Sequence, residues 1–320
     1  MPTDTMPTRP APTETCDVLV VGGSWAGLSA AMQLARARRR VLVVDAGRPR
    51  NRFASTSHGF LGQDGRTPAA ILETARAQVL AYPTATLRHD EVTRAVRHGD
   101  GAFDVVLASG GRVHARRLVL ATGVVDVLPD VPGLRERWGV SVLHCPYCHG
   151  YEVADRRLGV LAVGEMSIHQ ALLLPDWSAD VTLFTAGTVE PTAAQRDALA
   201  TRGVRLEPRP VVALVGEAPA LAGVRLRADD GDPENGPVVP LDALFTHSRN
   251  TSASPLAEQL GCAFDEGPFG PVLRTDAKRE TTVPHVYAAG DAARVPHNAT
   301  WASADGVTAG IAAHQSLALG

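Results

Sequence analysis

Apolar and polar residues follow two different rhythms along this chain, and the changes of rhythm mark its elements. Cys16–Val21 is a short, β-branched apolar run that reads as a buried strand. After a glycine turn, Leu28–Arg38 mixes small apolar and polar residues at helical spacing, and Val41–Val44 is a second apolar strand ending in Asp45. Further on, the pattern predicts a helix over Thr67–Leu80, hairpin strands at Phe103–Leu107 and Arg112–Val113 around Gly110-Gly111, and a strand at Leu118–Leu120. A Pro- and Gly-rich connection, Leu128–Gly133, marks a boundary. Beyond it come a strand at Leu158–Val163, a helix near Ser167–Leu174 and a strand at Val181–Phe184. Asp229–Pro240 reads as a hairpin loop or linker, Val286–Ala288 as a strand, and the stretch from about Asp305 to Leu317 as a closing helix.

Strand, turn, helix and strand over about 30 residues make the βαβ unit of a doubly wound parallel sheet. Its turn is Gly22-Gly23-Ser24-Trp25-Ala26-Gly27, a G-x-G-x-x-G fingerprint in which Ser24 replaces the middle glycine. Glycine there lets the backbone approach a pyrophosphate, while the helix start supplies amide donors and the positive end of its dipole. Serine is small enough to be tolerated. A right-handed crossover brings Asp45 beside this turn, where an acid bonds a ribose hydroxyl. The competing reading is a structural βαβ with a tight turn.

The second βαβ unit departs from this pattern. Its strand runs into Gly164-Glu165-Met166-Ser167-Ile168-His169, with one glycine and a loop short by about two residues against the fingerprint. Glu165 puts negative charge where a pyrophosphate would lie. After Val181–Phe184 comes Thr185-Ala186-Gly187-Thr188, with no arginine pair for a phosphate. This unit reads as a scaffold that no longer binds a dinucleotide well; a divergent working site is the alternative.

Composition narrows the field. A chain of 320 residues with 45% hydrophobic content can bury one large core or two smaller ones. The net charge of −3 offers no electrostatic footprint for nucleic acid or an anionic membrane. Met1–Thr15 is rich in Pro and Thr and lacks an apolar signal core, so it is expected to be a disordered tail. No apolar run approaches the roughly 18 residues of a membrane span. Four cysteines are too few for a disulfide framework, and a cytoplasmic location is expected.

Two of those cysteines form Cys145-Pro146-Tyr147-Cys148, between the two nucleotide units. Such a pair can close a small disulfide, and a nearby cation or helix end makes one sulfur available as thiolate. His144 and His149 flank it and could carry protons, or could be merely structural. Zinc would need donors that adjacent residues cannot easily supply to one tetrahedral ion, and no second C-x-x-C exists, so no metal is expected. Inert structural cysteines are the remaining alternative. Cys16 and Cys262 read as bland.

The Gly22–Gly27 turn, Ala121-Thr122-Gly123, the Cys145–Cys148 pair and Val286-Tyr287-Ala288-Ala289-Gly290-Asp291 stand in the order found in thioredoxin reductases. Apart from its tail, the whole chain resembles that family. The resemblance implies an α/β fold of two doubly wound Rossmann-like domains of the thioredoxin reductase type, the second inserted into the first. The tail would be 1–15, the FAD-binding domain 16–127 plus 246–320, and the degenerate NADPH-type domain 128–245, carrying the C-x-x-C. It implies FAD held by Gly22, Gly23, Ser24, Trp25, Ala26, Asp45, Ala121, Thr122, Gly123, Gly290 and Asp291. A helix near Asp305–Ala313 would point its N-terminus at the isoalloxazine. The family's usual aspartate after the second cysteine is His149 here.

Residues 145–152, Cys-Pro-Tyr-Cys-His-Gly-Tyr-Glu, together with the damaged second loop, are similar to the thioredoxin-reductase-like dithiol oxidases of the gliotoxin and holomycin type. Ala121–Pro129 and Ala313-His314-Gln315-Ser316-Leu317 are similar to that group too. Such enzymes are homodimers that use FAD and a C-x-x-C pair and pass electrons to O2. The resemblance therefore implies oxidation of a small-molecule dithiol to an intramolecular disulfide with release of H2O2. Cys145 would be the attacked sulfur, Cys148 the flavin-proximal one, and His149 or His144 the base. The rivals are an NAD(P)H-dependent disulfide reductase and a flavoprotein redox sensor without turnover. Trp138, Trp301, His297, Arg52 and His58 carry no assigned role.

Overall fold

The computed structural model describes residues 13–230, 232 and 234–320. Of the tail expected at 1–15, residues 1–12 lie outside the described residues, whereas Glu14 and Thr15 already belong to a strand. That strand, β1 (Glu14–Val21), leads into α1 (Trp25–Arg36), β2 (Val41–Asp45), α2 (Pro68–Leu80) and β3 (Ala85–His89). β4 (Val92–Arg97), β5 (Phe103–Leu107) and β6 (Arg112–Leu120) form a meander, and β7 (Val124–Val127) leaves it. Next come β8 (Val142–Leu143), α3 (Pro146–His149), β9 (Leu158–Leu161), α4 (Met166–Leu173), β10 (Val181–Phe184), α5 (Ala193–Thr201) and β11 (Arg205–Glu207). β12 (Val211–Val215), β13 (Gly223–Leu226) and β14 (Val238–Pro240) follow, then β15 (Ala243–Thr246). β16 (Arg249–Ser252) leads back to α6 (Leu256–Gln259), β17 (Phe264–Gly267), β18 (Gly270–Leu273), β19 (Val286–Ala288) and α7 (Ala299–Ala318).

The first sheet has the order β3-β2-β1-β6-β5-β4, with β19 also on β6. Val18, Leu19 and Val20 are fully buried because helices and the meander cover both faces of β1. β6 is a single nine-residue strand, where the sequence suggested two separate pieces. Its first half pairs antiparallel with β5 and its second half parallel with β19, while β1 runs parallel beside both. The apolar pattern there changes partner rather than ending.

The second sheet, β11-β10-β9-β15-β8, is parallel, with β12–β14 as a small antiparallel sheet beside it. The stretch expected as a loop at Asp229–Pro240 therefore ends in a strand; its residues 231 and 233 lie outside the described residues. The chain passes between the two sheets twice, on β7 and on β16, and these crossings pair antiparallel from Val124↔Ser252 to Val127↔Arg249. The architecture is the doubly wound α/β pair expected from the sequence. Among the described residues, no helix is long and apolar enough to cross a membrane.

Candidate active site

The carboxyl ends of β1, β2, β6 and β19 converge, and ligands of doubly wound sheets bind at such an edge. Gly22 has φ +105°, and a side chain there would run into the carbonyl oxygen of Ala121, so the first turn and Ala121-Thr122-Gly123 interlock. Ser24 has φ −104°, an ordinary value, so no left-handed backbone demands glycine in the middle position. Asp45 does lie against the turn: a Cβ on Gly23 would sit 2.8 Å from its Cβ and Cγ. Its Oδ2 accepts from Arg76 at 2.6 Å and its Oδ1 from the Gly47 amide at 3.2 Å. A carboxylate with two such bonds keeps lone pairs for a ribose hydroxyl.

From this cradle a cavity of about 710 Å³ runs to the cysteine pair. Its walls include Gly22, Gly23, Ser24, Trp25, Ala26, Asp45, Ala121, Thr122, Gly123, Gly290 and Asp291, and at the far end His144, Cys145, Cys148 and His149. One continuous space thus joins a dinucleotide turn to a redox pair, the shape an extended FAD requires. α7 begins at Ala299, six residues before the expected Asp305, and Asn298 caps it by accepting from the Thr300 amide at 2.8 Å. Asn298 and Ala299 line the cavity, so the helix start does face it. Asp305 is instead buried inside the helix, bonded by Arg294 at 2.7 and 2.8 Å and paired with Arg279 at 2.5 Å.

Gly22→Val offers a direct test of the cradle. A β-branched residue at positive φ costs the fold on the order of 1–2 kcal/mol, and its Cβ would run into the Ala121 carbonyl oxygen, so the turn must move out of the position in which it holds the cofactor. The expected product is a folded, largely colourless protein, read from the ratio of flavin to protein absorbance.

Cys145 and Cys148 form a disulfide with their Cα atoms 5.3 Å apart, and the Cys148 amide bonds the Cys145 carbonyl at 3.2 Å. Proline at the first position of α3 presets this tight turn. Tyr147 points outward, 73% exposed, its ring edge-on to Trp177 at 5.5 Å. The two flanking histidines sit in different settings. His144 packs edge-on against His247 (5.3 Å) and Phe269 (5.9 Å); burial, then the charge of Arg50, pushes its pKa down to about 3. His149 is lowered by burial, with Glu152 pulling it back up and His58 opposing. Nδ1 is buried and without a partner in both rings.

The feature that sequence reading missed is Arg50. Its Nε and Nη2 donate to Asp126 at 2.8 and 2.6 Å, and its Nη1 to Asp291 at 2.8 Å. Asp126 also accepts from Ser248 Oγ at 2.5 Å and Asn250 Nδ2 at 3.0 Å. Burial works against charge on both partners, yet Arg50 holds Asp126 below the ordinary carboxylate range and the acids raise Arg50. The only hint in the sequence was the basic run Arg48-Pro49-Arg50-Asn51-Arg52 after Asp45, in which Arg50 does not stand out. Arg52, His58, Trp138 and His297 all line the cavity; Trp301 does not, and is half-exposed.

Short-range bonds tie the second loop, which lines a separate cavity of about 640 Å³. The Ser167 and Ile168 amides bond the Gly164 and Glu165 carbonyls at 2.9 and 3.1 Å, and the Val163 amide bonds Ser167 Oγ at 3.0 Å. The Ser167 and Ile168 amides are thereby engaged within the turn, and the Glu165 carboxylate adds negative charge at the helix start. Several arginines of this unit are paired with acids, among them Arg209–Glu207 (2.7 Å), Arg202–Asp176 (2.5 Å) and Arg196–Glu190 (2.8 Å).

The sequence profile of the family described as pyridine nucleotide-disulphide oxidoreductase matches residues 16–306. A protein named thioredoxin reductase tcpT, from Claviceps purpurea (strain 20.1), is 33% identical over 315 residues, 94% of each chain. Among solved structures, an oxidoreductase from Agrobacterium tumefaciens superposes with TM-score 0.88 at 47% identity, covering 95% of this chain and 99% of that one. HlmI superposes with TM-score 0.86 at 42% identity, covering 94% and 92%.

Proposed function

The chain belongs to the pyridine nucleotide-disulphide oxidoreductase family, as a thioredoxin-reductase-like FAD enzyme, and on that premise we propose that it oxidises a small-molecule dithiol to a cyclic disulfide. O2 accepts the electrons and leaves as H2O2. The observation that supports this reading is the cofactor cradle that runs on to the Cys145–Cys148 disulfide, beside a Gly164–Ser167 turn that keeps one glycine and sets Glu165 where a second pyrophosphate would lie. On the same reading residues 16–127 and 246–320 hold FAD, residues 128–245 carry the cysteine pair, and the enzyme is a cytoplasmic homodimer.

A substrate thiolate attacks Cys145 Sγ, the Cys145–Cys148 bond breaks, and Cys148 leaves as thiolate. The second substrate thiol, deprotonated, attacks the substrate sulfur bonded to Cys145. The cyclic disulfide departs, and Cys145 becomes the second thiolate. The substrate has lost two electrons to the pair, and its protons pass to a base and to solvent. His149, neutral and beside Cys148, is that base; His144, held to about 3, is too weak a base for the task. FAD, held by the Gly22–Ala26 turn, Asp45, Ala121–Gly123 and Gly290-Asp291, supplies when bound the two-electron acceptor that connects the reduced pair to O2.

The deciding experiment is anaerobic. One sample of the yellow protein receives NADPH and another a small dithiol, and the flavin band is followed before and after air is admitted. The dithiol should bleach the band, and air should restore it with one peroxide per bleached flavin. Rapid bleaching by NADPH would replace this reading with an NAD(P)H-dependent disulfide reductase.

A further inference from the structure

The chain between β7 and β16, which carries the cysteine pair, is joined to the first sheet's unit through the ladder of those two strands, with Asp126 opposite Asn250. A two-stranded ribbon is marginally stable alone and twists readily, so contacts outside the ladder must set its lean. Arg50 supplies such a contact. It opens the short turn Arg50–Phe53 beyond β2, and its guanidinium forks in two directions. One edge donates to Asp126 at 2.8 and 2.6 Å, and Nη1 donates at 2.8 Å to Asp291, just past β19. Asp126 Oδ1 also accepts from Ser248 Oγ at 2.5 Å and Asn250 Nδ2 at 3.0 Å. One carboxylate thus gathers both strands of the ladder, and one guanidinium fastens it to the carboxyl edge of the first sheet. The returning strand has a further anchor, its Asn250 amide donating to the Phe269 carbonyl at 2.6 Å.

We propose that Arg50 is a positioning residue: by clamping the β7–β16 ladder to the edge of the first sheet, it sets how the Cys145–Cys148 pair meets bound FAD. The pair lies beyond the ladder, so any lean of the two strands reaches it as a displacement. Reaction rates are steep in such displacements, a misplacement of about 1 Å costing on the order of 10²-fold. The planar fork is what the clamp needs, because it grips two acids in fixed directions; a lysine would supply the charge at one point only. The inference rests on the proposed exchange of electrons between the cysteine pair and FAD, but not on its direction.

Two variants test it in the FAD-loaded protein. Arg50→Lys keeps a cation between the acids and removes the fork. Ser248→Ala combined with Asn250→Ala frees the returning strand from Asp126, and neither residue lines the cofactor cavity. Each protein is mixed anaerobically with a small dithiol. Opening of the Cys145–Cys148 bond is read by alkylation and mass, and flavin bleaching by stopped flow. Hydrogen–deuterium exchange follows the ladder amides 124–127 and 249–252. FAD content and opening of the pair should match the wild type, while bleaching lags on the order of 10²-fold in Arg50→Lys and less in the double variant. Ladder amides should exchange faster in both. Bleaching at the wild-type rate in either variant, opening and bleaching slowed together, FAD lost in step with the lag, or unchanged ladder exchange would each overturn the proposal. Should Arg50→Lys fail to fold, the double variant decides. If wild-type flavin bleaches with NADPH and not with the dithiol, the functional reading falls and this one is tested in reverse. Bleaching by NADPH would then be normal in the variants, and opening of the pair would lag.

Discussion

Cys148→Ser is expected to yield a protein that is as yellow as the wild type and that no longer bleaches with dithiol. The cofactor cradle lies at the other end of the cavity, on Gly22–Ala26 and Asp45, and a serine at 148 changes none of its contacts. Serine also fits the α3 turn, which is held by the backbone bond between residues 148 and 145 and by Pro146. What it cannot do is form the Cys145–Cys148 disulfide. Substrate thiolate then has no sulfur–sulfur bond to attack, and no electrons enter the pair. Groups that act as a unit lose nearly everything when one is removed, so the expected fall is at least about 10³-fold. Stopped-flow bleaching under argon measures it, with the flavin-to-protein absorbance ratio as the control. Wild-type bleaching rates in this variant would sink the proposed scheme.

His149→Gln should slow bleaching by about 10²- to 10⁴-fold while the disulfide and the flavin stay in place. The pH profile gives this prediction its sign. Burial lowers the His149 pKa from 6.5, so the neutral ring that accepts a proton dominates at pH 7 and persists below 6.5. The rate limited by this base should therefore stay level as pH falls through 6.5 and decline only beneath it. In His149→Gln that acidic limb should disappear. A wild-type limb above 6.5, or a loss smaller than about tenfold, would return His149 to a structural role. His144→Gln should cost far less, since His144 is already neutral throughout this range.

The fold was legible wherever burial is continuous. Val41–Asp45, Val181–Phe184 and Val286–Ala288 stand where their apolar runs place them, because a strand covered on both faces can hold little else. Legibility failed where the determinant is not local. α7 starts at Ala299 because Asn298 caps it, yet Thr300-Trp301 with Ser303 gives no clear apolar stripe, and the reading caught only the later part around Ala309 and Ala313. β6 was cut in two because Arg116 and Arg117 interrupt its pattern; Arg117 is buried, its guanidinium bonded to Ser316. In the site, glycine turns and the cysteine pair could be read because chemistry fixes their spacing. Arg50 could not, since its partners Asp126 and Asp291 stand 76 and 241 residues away. A sequence shows a basic residue there; only the fold shows that it is caged between two acids.

The paired crossings β7 and β16 carry a consequence for how such a chain is assembled. Everything between them leaves and re-enters the first sheet through adjacent, hydrogen-bonded strands, so to the host this long excursion is topologically a hairpin. Closing a loop becomes only slowly more costly as it lengthens, about 0.6 kcal/mol per doubling. The excursion could therefore grow, shrink or be exchanged for another folded unit while the host kept its strand order and register. A change in the loop at Gly164 needs no compensation in the strand order of the first sheet, because the chain joins the two through one two-stranded stem.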